Sequence, residues 1–185
     1  MKKIILASKS PRRKELLKLL NVPFSVEVSH TDEYYDENLP PHEIVEYLSL
    51  HKAKKIAIAN PQNIVIGADT IVAINNHILE KPKSSSDAFQ MLKLLSNQTH
   101  QVITGITIIY NNQIESFNSF TEVTFYELSD QEILDYINTK EPFDKAGGYG
   151  IQGYAAKFVK QLIGDYFTVV GLPVGELYQR LKKYL

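Results

Sequence analysis

The residues Ser8-Lys9-Ser10-Pro11-Arg12-Arg13 stand where a short apolar stretch gives way to a leucine-rich one, at a strand-to-helix turn. A helix N-terminus carries about half a positive charge, so Lys9, Arg12, Arg13 and Lys14 have the wrong sign for helix stability there. An anion would resolve the conflict, because backbone N–H groups, serine hydroxyls and two guanidiniums at one turn make a polyphosphate cradle. The same run also reads as a solvated basic turn, and it lacks the glycines of a Walker A loop. Asp69 lies between two β-branched runs, residues 64–66 and 71–74. A partly buried carboxylate is costly unless it meets a metal, a donor or a proton, which makes Asp69 a candidate metal ligand or general base. Its alternative is a turn residue that caps backbone N–H groups.

Lys52 falls, at about 100° per residue, on the apolar face shared by Ile44, Val45, Leu48 and Ile56. Its ammonium either snorkels to solvent or reaches a phosphate at the rim of a cleft. From Asp144 to Gly153 the glycines allow close backbone approach to a ligand, while Tyr149 offers a stacking face and Gln152 an amide. An amide donates and accepts together, as a nucleobase edge requires, although such a loop also serves as a plain turn. Glu33, in a polar loop, could join Asp69 around magnesium or manganese, which favour oxygen ligands, or be an exposed loop acid. The histidines show no HExxH spacing, and no GxSxG elbow occurs, so zincin and α/β-hydrolase chemistry has no support.

Positioning these groups requires alternating element types. The sequence predicts strands at 4–6 and 24–28, and a helix at 12–20 with Ser10 as N-cap and Pro11 in its first position. A long helix starts at Pro40-Pro41 and runs to about residue 59; a central strand spans 64–74, interrupted or bent at 67–70. After an Asn75-Asn76 turn and the loop 80–83 come a helix at 87–95 and strands at 101–110 and 114–127 joined by Asn111-Asn112. Ser129 and Glu132 form a capping box for a helix ending near 138, followed by short strands near Phe158 and Val169 and a helix at 175–185. The pattern lacks strict alternation, so the expected class is α/β with a mixed, bent central sheet flanked by helices.

The chain has 185 residues, which favours one domain over 1–185, with two lobes. Lysine plus arginine number 20 against 21 aspartate plus glutamate, a balance that argues against a dedicated nucleic-acid polymer binder. There are no cysteines, which excludes disulfides, thiolate metal sites and a cysteine nucleophile. No apolar run approaches the ~18 residues of a membrane span and no targeting segment is visible, so a cytoplasmic location is expected.

Taken together, the chain resembles the Maf family of nucleoside triphosphate pyrophosphatases. The resemblance rests on Ala7-Ser8-x-Ser10-Pro11-Arg12-Arg13-x-Glu15-Leu16-Leu17, Lys52-Ala53, Gly67-Ala68-Asp69-Thr70, Lys81-Pro82, the segment from Glu141-Pro142 to Gln152-Gly153, and Val170-Gly171-Leu172-Pro173. It implies a fold like that of inosine triphosphate pyrophosphatases, with a cleft between two lobes, and often a homodimer. It further implies hydrolysis of a nucleoside triphosphate between the α and β phosphates with a divalent cation, magnesium, manganese or cobalt. On that reading Arg12, Arg13, Lys52 and Lys81 hold the triphosphate, Ser8 adds a hydrogen bond and Asp69 prepares a water. The Tyr149-Gly150-Ile151-Gln152 ending is similar to the branch acting on dTTP and UTP, with Gln152, Thr70 and Arg12 selecting the base. Such an activity would clear non-preferred or modified nucleotides. Glu80 and Phe143 depart from the usual pattern without removing a proposed chemical group. The rival is a non-catalytic nucleotide-binding regulator of division, which has no reason to keep a carboxylate beside a triphosphate.

Overall fold

A computed structural model describes residues 3–28 and 34–185; Glu33 and the rest of 29–33 lie outside the described residues. The elements are β1 (Ile4–Ala7), α1 (Pro11–Lys18), β2 (Phe24–Val26), α2 (Pro41–Ala59), β3 (Ile64–Ile74), β4 (His77–Leu79), α3 (Ser85–Leu95), β5 (Thr99–Tyr110), β6 (Gln113–Phe125), α4 (Asp130–Asn138), β7 (Val159–Ile163), α5 (Tyr166–Val170) and α6 (Val174–Leu181). Strand order is β2-β1-β3-β5-β6-β7, with β4 also on β3. β1 runs parallel to β2 and β3, whereas β3–β4 and β6–β7 are antiparallel, so the sheet is mixed as expected. No helix among the described residues is long and apolar enough to cross a membrane.

The chain forms two compact units, one from Met1–Thr70, Thr104–Ser119 and Gly171–Leu185, the other from Ile71–Ile103 and Phe120–Val170. In the first, Ile5 and Ala7 of β1, Val65 of β3 and Ile109 of β5 pack with Ala53 and Ile56 of α2. Two glycines let α2 come this close. A Cβ on Gly67 would lie 2.2 Å from the Ser49 carbonyl oxygen, and one on Gly105 would lie 2.3 Å from that of Val45. In the second unit, Leu92 and Leu95 of α3 and Ile133, Tyr136 and Ile137 of α4 share a core with Val123, Phe125 and Phe158.

Local codes explain most boundaries. Ser10 accepts from the Arg13 N–H with Pro11 behind it, and Ser129 and Glu132 form the reciprocal capping box. Asn75-Asn76 and Asn111-Asn112 both take positive φ at two successive residues, the geometry of a tight hairpin turn. Two expectations need correction. β3 is continuous through 67–70, because the polar groups of Asp69 and Thr70 find partners there. The segment around Val169 is helical: Asp165 accepts from the Phe167 and Thr168 N–H groups at 3.1 Å, and this cap overrides the β-branched run. Between the Asn75-Asn76 turn and the loop 80–83, residues 77–79 add a short strand antiparallel to β3.

Tyr149 is buried, so the stacking face expected of it is spent inside the second unit. It packs edge-on against Phe125 with centroids 4.8 Å apart, and its hydroxyl lies 2.7 Å from His100 Nε2. Among the described residues, buried His100 Nδ1 has no hydrogen-bond partner, and burial pushes the imidazole down from 6.5 to about 4. Between those values the unfolded chain binds a proton that the fold refuses. The stability present above pH 6.5 is therefore lost as pH falls toward 4, by about 3 kcal/mol for a shift of this size. Urea midpoints at pH 7 and 4.5 should show this loss in the wild type and a shallower one in His100→Leu; equal pH dependence would contradict it.

Candidate active site

β-Strand alternation places Val65, Gly67 and Asp69 on the face of β3 covered by α2. The glycine that admits α2 at Ser49 thereby brings Lys52, one turn further along, to the next inward position. The Lys52 ammonium makes an ion pair with Asp69 Oδ1, with side-chain exposures of 17% and 12%. Lys52 thus neither snorkels freely nor lies in the core as an uncompensated charge. A buried carboxylate with one cationic partner is stable without substrate, and both groups are of the kind that polyphosphate chemistry uses.

On the neighbouring residues of the strand, Arg13 acts as a clamp. Its Nη2 donates to Thr70 Oγ1 at 2.8 Å, Nη1 donates to the Ala68 carbonyl at 2.9 Å and Ser8 Oγ at 3.3 Å, and Nε donates to the Gly171 carbonyl at 2.9 Å. Gly171 has φ 119°, a left-handed geometry that suits glycine. Thr70 Oγ1 lies 2.9 Å from Thr104 Oγ1. Ser8 is buried, and its hydroxyl also accepts from the Ser10 N–H at 3.3 Å. The expected cradle is therefore partly occupied by the protein itself, with the Ser10 and Arg13 N–H groups each satisfied by a serine oxygen. Arg12 is half-buried on α1, whose first turn carries no acidic residue.

The structure thus brings Ser8, Arg13, Lys52, Asp69 and Thr70 together around one end of β1 and the middle of β3. Lys81 and Gln152 belong to the second unit, where both are exposed. Their loops meet there: the Gly147 N–H donates to the Glu80 carbonyl at 3.0 Å, and Pro82 lies beside Gly148. Gln152 sits in a turn closed by the Gly153 N–H on the Gly150 carbonyl at 3.1 Å. Among the described residues no three His, Cys, Asp or Glu side chains form a group that could hold a metal ion. Sequence reasoning missed Thr104 and the Gly171 carbonyl. The Val170-Gly171-Leu172-Pro173 motif was a signal for the second, and nothing local pointed to Thr104.

The mixed α/β fold is shared with the Ham1 protein of Staphylococcus aureus. That protein superposes with a TM-score of 0.55 over 100% of both chains at 14% identity. A HAM1 protein from Coxiella burnetii gives a TM-score of 0.52 at 15% identity, covering 99% of this chain and 100% of that one. These are likenesses of fold alone. The chain belongs to the Maf-like protein family, whose profile matches residues 3–184. It is 52% identical to the dTTP/UTP pyrophosphatase of Bacillus cytotoxicus over 184 residues, covering 100% of this chain and 96% of that protein. It is 50% identical to the dTTP/UTP pyrophosphatase of Bacillus cereus with the same coverage.

Proposed function

We propose that this protein hydrolyses nucleoside triphosphates, with dTTP and UTP favoured, between the α and β phosphates to give a nucleoside monophosphate and pyrophosphate. The observation that carries the reading is the buried Asp69–Lys52 pair beside the Arg13 clamp, in a chain about half identical to dTTP/UTP pyrophosphatases along its whole length. That company favours an enzyme over a non-catalytic regulator of division.

Asp69 accepts a proton from a water whose oxygen bonds to the α phosphorus, the bond from that phosphorus to the α–β bridging oxygen breaks, and pyrophosphate leaves with the electron pair. Lys52, already aimed at the carboxylate, orients it and, with Arg12 and Lys81, offers positive charge to the triphosphate. Arg13 works mainly through others, fixing Ser8 and Thr70 where their hydroxyls can meet substrate. Asp69 would hold a hard divalent cation here, an ion that favours oxygen ligands, with Glu33 the second acid the sequence offers. Such a cation supplies neutralisation of phosphate charge when bound. EDTA should stop hydrolysis without shifting the thermal midpoint, and magnesium, manganese or cobalt should restore it. Full activity after exhaustive chelation would show that the chain's own cations suffice. A cytoplasmic location, where such substrates abound, and a homodimer belong to this proposal.

Base choice rests on Gln152, with Thr70 and Arg12. A glutamine amide pairs at once with a carbonyl and N3–H of uracil or thymine, whereas cytosine has no proton on N3. A mismatched polar group in a confined pocket costs ~1–3 kcal/mol, so dTTP and UTP should exceed CTP by roughly tenfold in kcat/KM. Gln152→Glu should erode that ranking. Equal hydrolysis of all common triphosphates by the wild type would remove the proposed recognition.

A further inference from the structure

The turn that carries Gln152 lies between two short 3-10 helices, Ala146–Gly148 and Tyr154–Phe158, and pairs with no strand. One carboxylate sits beneath it. Glu141 Oε2 accepts from the Tyr154 N–H at 2.9 Å, just past the turn, and Glu141 Oε1 accepts from the Tyr136 hydroxyl at 3.0 Å. Tyr136 is buried in α4, and its hydroxyl in turn receives the Gly150 N–H, at the start of the turn. Residues 150 to 154 are thus tied at both ends to a single tyrosine–glutamate pair. The fit is close: a Cβ on Gly153 would lie 2.2 Å from Glu141 Oε1, and one on Gly150 would lie 2.5 Å from Lys145 Cε. The Lys145 ammonium closes the base of the arrangement by donating to the Glu141 carbonyl at 2.8 Å. A side chain at 150 or 153 would displace the far end of Lys145 or of Glu141, so glycine at both positions leaves the tether room to close.

The geometry points to Glu141, held by Tyr136, as a positioning residue for base selection: it fixes the turn from which Gln152 reads the nucleobase edge. The inference rests on the proposed role of Gln152. Glu141 touches no reacting atom, and its effect is on which base is accepted. The chemistry of the tether requires two acceptor functions or their equivalent at residue 141. Alanine removes both, while glutamine keeps an oxygen for the Tyr154 N–H and offers an N–H to the Tyr136 hydroxyl.

The test is the ratio of kcat/KM for dTTP over CTP in the full chain, for Glu141→Ala, Glu141→Gln, Tyr136→Phe, Gln152→Ala and the Glu141→Ala/Gln152→Ala double variant. Glu141→Ala should lower the ratio by about fivefold or more, chiefly through the KM for dTTP, and Glu141→Gln should keep it within about twofold of wild type. The double variant should discriminate no worse than Gln152→Ala alone, since the tether acts only through that side chain. If Glu141→Ala fails to fold, Tyr136→Phe, which deletes one hydroxyl, supplies the same readout in weaker form. An unchanged ratio in the tether variants beside a reduced one in Gln152→Ala overturns this inference and leaves the base-reading role standing. Additive losses in the double variant also overturn it. An unchanged ratio in Gln152→Ala overturns the base-reading role, and this inference with it.

Discussion

Replacing Asp69 by asparagine should lower kcat/KM for dTTP by at least about a thousandfold, ~4 kcal/mol of transition-state stabilisation. The amide keeps the shape of the carboxylate but cannot take a proton from water or neutralise a cation. It also removes the negative charge that faces the Lys52 ammonium, whose side chain is only 17% exposed. The fold should register this as a stability loss on the order of 1–3 kcal/mol, small enough for the chain to remain folded against a typical ~5–15 kcal/mol. Circular dichroism should therefore look native and the thermal midpoint should drop by a few degrees, while turnover vanishes. Activity within about threefold of wild type would remove Asp69 from the mechanism.

Arg13→Lys is expected to have the next largest effect, and it separates two roles. The guanidinium spans acceptors contributed by Ser8, Ala68, Thr70 and Gly171, which an ammonium on a flexible stem cannot reach together. Losing two such charge-assisted bonds should cost about 3 kcal/mol, or roughly a 5–10 °C fall in the thermal midpoint for a chain of this size. Because Ser8 and Thr70 lose their common anchor, kcat/KM should fall by about a hundredfold or more in the same variant. An arginine whose only task is to hold phosphate would give the loss of activity with an unchanged melt, and that result would contradict the clamp.

The parts of the fold written in adjacent residues were legible beforehand. Ser10-Pro11, the Ser129 and Glu132 box and the two Asn-Asn turns each carry their own local geometry, and β-branched runs marked β3. Asp69 stood out for the same reason, since an acid between two apolar runs needs a partner. Who that partner is could not be read, because Lys52 reaches it only through the crossing that Gly67 permits. The Arg13 clamp spans 158 residues to Gly171, and no local pattern encodes a contact of that range. The same limit hid the tether under Gln152, where Glu141 and Tyr154 are 13 residues apart with a glycine-rich turn between them. At Val169 the local signal pointed the wrong way: residue preference favoured a strand, and a single aspartate cap set a helix instead.

The reaction itself is tested most directly by its products. Incubation of the protein with dTTP and magnesium, with pyrophosphate, orthophosphate and nucleotide products assayed separately, should yield dTMP and pyrophosphate in equal amounts and no orthophosphate. Release of orthophosphate with dTDP, or of orthophosphate from phosphate monoesters, would place the cleaved bond elsewhere and contradict the account.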